Sequence, residues 1–204
     1  MKEYPKIQSI YKRDEKTHKF IESEWSLPEF EYLQYNLWLF TEKIDGTNIR
    51  VLWDGEKIEF KGRTDNAQIY APLIKTLYET FEITTLREVF DQPACLYGEG
   101  YGAKIQKGGG NYRSDVGFIL FDVLIDRWWL KRDAIEGIAE KFDIPVVPII
   151  GEGTLNDAIR YIKEGITSTF GDFRAEGLVL KPKTELFARN GQRIITKIKH
   201  KDFR

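Results

Sequence analysis

Thr41-Glu42-Lys43-Ile44-Asp45-Gly46-Thr47-Asn48 sets one lysine at the end of the apolar run Leu37-Trp38-Leu39-Phe40, then adds a carboxylate, a turn glycine and two small polar side chains. Such a run reads as a strand, on which residues i and i+2 share a face, so Lys43 and Asp45 are expected to converge on one reacting centre. A lysine amine placed there is a candidate nucleophile. Gly46 lets the backbone bend or approach a ligand closely. A strand that merely ends in a polar turn would carry the same residues, so the rest of the chain decides between the two.

Composition narrows the field. Lys+Arg 31 against Asp+Glu 32 gives net −1, so no global field attracts a polyanion and any nucleic-acid contact must come from local patches. The one cysteine, Cys95, excludes an internal disulfide framework and fits a reducing compartment. With only His18 and His200 beside it, a zinc site of His and Cys is not expected. No apolar run approaches the roughly 18 residues of a membrane span, and Met1-Lys2-Glu3-Tyr4-Pro5 lacks a signal-peptide core. A cytoplasmic location is expected. At 204 residues with 42% apolar content, residues 1–204 read as a single domain with a sizeable core.

Along the chain, residues 1–36 read as a solvated flank packing onto the domain, with a basic pair, Lys12-Arg13. Asp54-Gly55 between two apolar runs signals a hairpin. Residues 72–90 read as helix with a break near Thr84-Thr85. Residues 94–97 read as a short strand entering the glycine-rich Gly98-Glu99-Gly100-Tyr101-Gly102, and Gly108-Gly109-Gly110 as a mobile, anion-friendly loop among Lys104, Lys107 and Arg113. Residues 117–125 read as a buried strand in which Asp122 needs a partner. Helices are expected over 131–142 and 154–164, the second capped by Thr154. An edge segment is expected over 144–150, and closing strands over 177–181 and 193–199. Antiparallel-looking hairpins with interspersed helices favour an α+β fold.

Lys43, Glu99, Glu176, Lys197 and Lys199 thus fall on strands or at strand ends. With Arg63-Thr64, Phe121-Asp122, Ala175-Glu176-Gly177-Leu178-Val179-Leu180-Lys181-Pro182 and Lys197-Ile198-Lys199, the ordered set resembles the covalent nucleotidyltransferase superfamily of ATP-dependent ligases and capping enzymes. Within it, the RNA ligase 2 family is closest in pattern. Ile105-Gln106-Lys107 and Arg189-Asn190-Gly191 are similar to that family too, and the likeness covers residues 38–203.

The resemblance implies a nucleotidyltransferase (ATP-grasp-like ligase adenylation) domain of mostly antiparallel sheets with flanking helices. It implies ATP as substrate, Mg²⁺ or Mn²⁺ as cofactor, and Lys43 as the residue that forms lysyl-AMP. Asp45, Glu99 and Glu176 would organise the metal through water; Glu42, Asn48, Arg63, Glu99, Lys197 and Lys199 would surround the nucleotide. Phe121 would stack on adenine. Phe118, on the opposite face of the strand, suits a core role better. RNA with 5′-phosphate and 3′-OH ends, single-stranded or duplex, is the implied partner, with RNA repair as the implied setting. The family commonly adds a C-terminal domain after the paired lysines; here only His200-Lys201-Asp202-Phe203-Arg204 follow. Either a minimal catalytic domain or one whose missing functions a protein partner supplies is therefore expected, with phosphate grip then falling on Lys104, Lys107, Arg113, Arg189, Lys201 and the Lys12-Arg13 pair. The alternatives are a DNA-nick ligase, a GTP-dependent capping-type transferase, and a non-catalytic nucleotide or RNA-end binding module.

The electrostatics suit a nucleophile. Lys197 and Lys199 share a strand face. One like charge about 5 Å away costs an ammonium roughly 3 kcal/mol at an effective dielectric near 20, which favours the neutral amine that can attack phosphorus. The same cations stabilise charge developing on a phosphate.

Overall fold

The computed structural model describes residues 3–203, so Met1, Lys2 and Arg204, where part of the leader and tail readings fall, lie outside the described residues. The first half holds β1 (Gln8–Ser9), β2 (Tyr11–Arg13), β3 (Phe20–Trp25), α1 (Pro28–Tyr32), β4 (Trp38–Lys43), β5 (Thr47–Trp53), β6 (Ile58–Lys61), α2 (Ala71–Thr80), α3 (Ile83–Val89) and β7 (Ala94–Gly102). The second holds β8 (Val116–Ile125), β9 (Trp128–Trp129), α4 (Arg132–Lys141), β10 (Ile149–Gly153), α5 (Leu155–Glu164), β11 (Gly177–Pro182) and β12 (Thr196–Lys199). The chain divides into two compact units, residues 1–4 with 45–147 and residues 5–44 with 148–204, each with its own five-stranded sheet. Mixed helices and mostly antiparallel strands make the fold α+β, as expected.

In the unit formed by residues 5–44 and 148–204, the sheet order is β1-β12-β11-β4-β10, antiparallel except for β1 beside β12. Alternation on β4 buries Trp38, Phe40 and Glu42 and leaves Leu39, Thr41 and Lys43 half-buried on the other face. Beneath the buried face lies α5, whose buried Leu155, Ala158, Ile159 and Ile162 recur at helical spacing. Thr154 opens α5 with a reciprocal cap: its Oγ1 accepts from the Asp157 N–H at 3.1 Å, and its own N–H donates to Asp157 Oδ2 at 2.9 Å.

Residues 5–36 do pack onto the rest of their unit, but as part of its sheet and core and not as a solvated flank. β1 pairs with β12, while Ile10, Tyr11, Phe30 and Leu33 join the core. Strands of two and three residues are too short to show an alternating pattern, which is why the sequence hides them.

In the unit of residues 1–4 and 45–147, the sheet order is β6-β5-β7-β8-β9. Its core packs Ile49, Val51 and Trp53 against Leu73, Leu77 and Phe81. The helical break falls at Phe81-Glu82, earlier than read, because Leu77 and Leu86 must both reach the core. The strand read over 94–97 continues through the glycine-rich stretch: β7 runs nine residues, and a side chain at Gly98 or Gly100 would collide with Phe118 or Leu73. The Gly108 region is not a free loop. Residues Gly109–Asn111 form a 3₁₀ turn in which Gly109 is buried.

A bulge in β8 sets the faces of that strand. Tyr97 pairs with Asp122 and Gly98 with Leu120, leaving Phe121 opposite no partner. Phe118 and Leu120 face the core before the bulge and Val123 after it. The 144–150 segment divides, with Val146 bridging to Leu120 and Ile149 opening the edge strand β10. β12 starts at Thr196, three residues later than read, because Arg193 belongs to the Phe187–Arg193 bridge. Among the described residues no helix is long and apolar enough to cross a membrane.

Candidate active site

The register of the first sheet brings the lysines together. Gly177 of β11 pairs with Lys43 of β4 on one side and with Lys199 of β12 on the other. The row therefore reads lysine, empty position, lysine. Glu176, one residue before, fills the gap: Lys43 Nζ lies 2.6 Å from its Oε2, and Lys199 Nζ lies 2.5 Å from its Oε1. All three side chains are about one-fifth exposed or less. Lys43 Nζ also donates to the Ile44 carbonyl at 3.3 Å. Lys197, in register with Val179, is half-buried on the same face.

Burial alone pushes the Glu176 carboxyl up. The Lys43 charge, with hydrogen bonds from Lys199 and Lys43, outweighs that and holds it below the ordinary glutamate value. The cations that the sequence places near Lys43 are thus joined by a carboxylate it shares with Lys199. A Cβ at position 177 would collide with the Ile198 carbonyl and lie 2.8 Å from Lys199 Cα. Gly177→Ala is expected to cost about 1–3 kcal/mol in urea denaturation, as overpacking does, by prising β12 from β11.

Glu42 points to the opposite face from Lys43, is 1% exposed, and is fully engaged. Its Oε1 accepts from Ser168 Oγ at 2.5 Å, and its Oε2 accepts from Thr169 Oγ1 at 2.7 Å and Thr169 N–H at 2.9 Å. Thr167 bridges to Arg174, and the Ala175 N–H donates to the Ile166 carbonyl at 3.0 Å, closing the loop that leads into Glu176. Glu42 therefore ties the residue beside the candidate nucleophile to the segment that delivers its carboxylate partner.

The remaining candidates lie in the other unit. Asp45 does not continue the Lys43 face, because β4 ends at Lys43. Its N–H donates to Tyr112 Oη at 3.3 Å, and Gln106 Nε2 donates to the Gly46 carbonyl at 3.0 Å, so the segment once read as mobile grips this turn. Asn48 and Glu99 are register partners on β5 and β7, both half-buried. Asn48 Oδ1 is buried with no hydrogen-bond partner among the described residues. Arg63 is exposed in the turn after β6.

Phe121 is half-buried, and Tyr4 packs edge-on against it at 5.0 Å between ring centroids. The Tyr4 hydroxyl donates to Asp122, which gives that buried carboxylate a partner. Phe118, 3% exposed, packs on Phe81 in the core.

The candidate phosphate contacts divide by availability. Lys104, Lys107, Arg189 and Lys201 are exposed. Arg113 is held by both Asp115 oxygens, at 2.5 and 2.8 Å, and lies over the Tyr101 ring. Lys12 pairs with Glu24 at 3.4 Å and Arg13 with buried Asp202 at 2.8 Å. Tyr4, Tyr112 and the Ser168-Thr169 pair escaped the sequence reading because their partners are distant in the chain. Gln106 had a signal, in the family-like Ile105-Gln106-Lys107.

A family model for RNA ligase matches residues 36–199. Among solved structures, a Naegleria gruberi RNA ligase variant with ATP and manganese superposes with a TM-score of 0.68 at 21% identity, covering 86% of this chain and 54% of that one. An apo variant of the Naegleria gruberi ligase gives a TM-score of 0.69 at 19% identity, covering 98% and 58%. The chain thus spans a little over half the length of these relatives and shares their fold. The family match runs from just before the candidate nucleophile to Lys199: this chain belongs to the RNA ligase family.

Proposed function

We propose that the chain is an ATP-dependent RNA ligase that joins 3′-OH and 5′-phosphate ends through a covalent lysyl-AMP. The observation that carries the reading is the Lys43–Glu176–Lys199 cluster, one amine and one further cation sharing a carboxylate. In the first step Lys43 Nζ, having lost its proton, attacks the α-phosphorus of ATP; the N–P bond forms as the bond to pyrophosphate breaks. The AMP then passes to an oxygen of the RNA 5′-phosphate, freeing Lys43. The 3′-OH attacks that activated phosphorus and AMP leaves.

Each step moves a phosphoryl-type group, so alignment and electrostatics carry the catalysis. Lys197 and Lys199 are assigned to the phosphate charge. Glu176 holds Lys43 in place and takes up the positive charge of its resting ammonium. Asn48 and Arg63 are assigned to the ribose, phosphate or 3′-OH end; the unpartnered Asn48 oxygen suits a ligand hydroxyl. Lys104, Lys107, Arg189 and Lys201 are assigned to the RNA backbone. Glu42, its carboxylate already engaged, is assigned to nucleotide binding only through its backbone and the loop it holds.

Asp45, Glu99 and Glu176 are the residues proposed to hold Mg²⁺ or Mn²⁺ through water. Mg²⁺ keeps several waters and uses one or two carboxylates beside substrate phosphates. When bound, the ion supplies positive charge to the triphosphate. A cytoplasmic location is consistent with the single, buried Cys95.

The test is sealing of RNA with 5′-phosphate and 3′-OH ends in ATP or GTP, with RNA or DNA 3′ ends. Sealing with ATP and RNA ends supports the reading; GTP dependence, or sealing of DNA alone, overturns it. The two phenylalanines should separate. Phe118→Ala should cost about 3–5 kcal/mol of stability. Phe121→Ala should instead raise KM for ATP about tenfold with a smaller loss of stability, since base–aromatic stacking contributes about 1–3 kcal/mol. Titrating lysyl-AMP formation against ATP, beside urea denaturation, checks both.

A further inference from the structure

Arg50 is unusual: a guanidinium 1% exposed in the middle of β5. On the row that crosses the sheet it lies between Lys61 of β6 and Tyr97 of β7. A buried charge needs partners. Arg50 finds them in one place, the turn after β6. Its Nε donates to the Gly62 carbonyl at 2.9 Å and its Nη2 to Asp65 Oδ1 at 2.8 Å. Those two residues bracket Arg63-Thr64. The planar fork of an arginine fixes both contacts at once, which a lysine cannot do.

The charges around the turn are arranged unevenly. Lys61 lies 3.4 Å from Glu59 and 3.9 Å from Asp65, so the nearby carboxylates are taken by Lys61 and Arg50. The hydrogen bond from Arg50, with the Lys61 charge, holds the Asp65 carboxyl below its ordinary value, so it stays ionised. Arg63, between the two gripped residues, is exposed and makes no ion pair among the described residues. A free guanidinium on a backbone anchored from both sides is a preorganised site for an anion.

We infer that Arg50 and Asp65 are positioning residues that lock the 62–65 turn so that Arg63 meets a phosphate group of the nucleotide or of the RNA end. The inference rests on the ligase reading above and adds to it two residues that act through Arg63. Arg50 is buried, and its loss threatens folding; Asp65, with a side chain 63% exposed, can be changed without opening the core.

The experiment compares Arg63→Ala, Asp65→Ala, the double variant and Arg50→Lys. Lysyl-AMP formation is followed against ATP concentration, and single-turnover sealing against pre-adenylated RNA, which bypasses the first step. Asp65→Ala should slow the same step as Arg63→Ala, by about five- to tenfold, with the same split between kcat and KM, and the double variant should be no slower than Arg63→Ala. Arg50→Lys should fall between wild type and Asp65→Ala. An effect confined to lysyl-AMP formation assigns the phosphate to ATP; one confined to sealing assigns it to the RNA end. Additive losses in the double variant, or an Asp65→Ala enzyme that loses stability but not rate, overturn the clamp. An inactive wild type overturns the ligase reading instead, and the clamp's purpose with it.

Discussion

Lys43→Ala forms no enzyme–AMP, yet it still seals RNA whose 5′ end is already adenylated. The first loss follows from the chemistry: the residue supplies the electron pair that forms the N–P bond, and removal of a nucleophile costs on the order of 10⁴-fold or more. The second outcome follows because the sealing step needs the phosphate-binding cations and not the amine. Lys43→Arg sharpens the test. It keeps a positive charge beside Glu176, but a guanidinium does not give up its proton in a protein. It should therefore be as dead as alanine in the first step. Gel transfer of label from α-labelled ATP measures that step, and sealing of pre-adenylated RNA measures the last. A Lys43→Arg enzyme that accepts label would show that charge, not nucleophilicity, is what position 43 supplies.

Glu176→Gln should lower lysyl-AMP formation by about 10²- to 10³-fold, the range seen when one preorganised electrostatic partner is removed. The amide keeps the shape but no longer offsets two ammonium groups that converge on one spot. Stability should drop as well, by on the order of 1–3 kcal/mol near neutral pH, because two partly buried cations lose their shared anion. The pH dependence has a definite sign. The folded-state carboxyl is held below its ordinary value, so its contribution is fully present above the unfolded glutamate range, about 4.3, and is lost as pH falls through the lower folded value. Urea denaturation of wild type and Glu176→Gln should therefore differ at pH 7 and converge as the pH falls below the lowered folded-state value. A gap that stays constant with pH would assign the loss to packing instead.

Much of the fold is legible in the chain. The Asp54-Gly55 turn gives the β5–β6 hairpin, and Thr154 gives the start of α5, because both signals are local. Strand alternation also separates Phe118 from Phe121, although the bulge at Phe121, invisible in sequence, resets the pattern for Val123. The readings that fail are those where the partner is remote. β1 is two residues long and exists only because β12 lies beside it. The strand read over 94–97 stops short of the glycines of β7, whose place in the sheet shows only once Phe118 and Leu73 are seen to occupy the space their side chains would need.

The candidate site follows the same division. That Lys43, Glu176 and Lys199 belong together is readable from an ordered motif set. That Glu176 sits between the lysines depends on the register through Gly177, which no local pattern specifies. Arg50 reads as an ordinary polar residue on an alternating strand. Its importance is apparent only once it is found buried, with both its bonds reaching the turn that carries Arg63.

The most direct test locates the adenylate. The full chain is incubated with ATP and magnesium, digested under conditions that preserve a phosphoramidate, and sequenced by tandem mass spectrometry. AMP is expected on the peptide holding Lys43 and on no other lysine. AMP on Lys197 or Lys199, or an unmodified Lys43 in protein that seals RNA, would contradict that expectation.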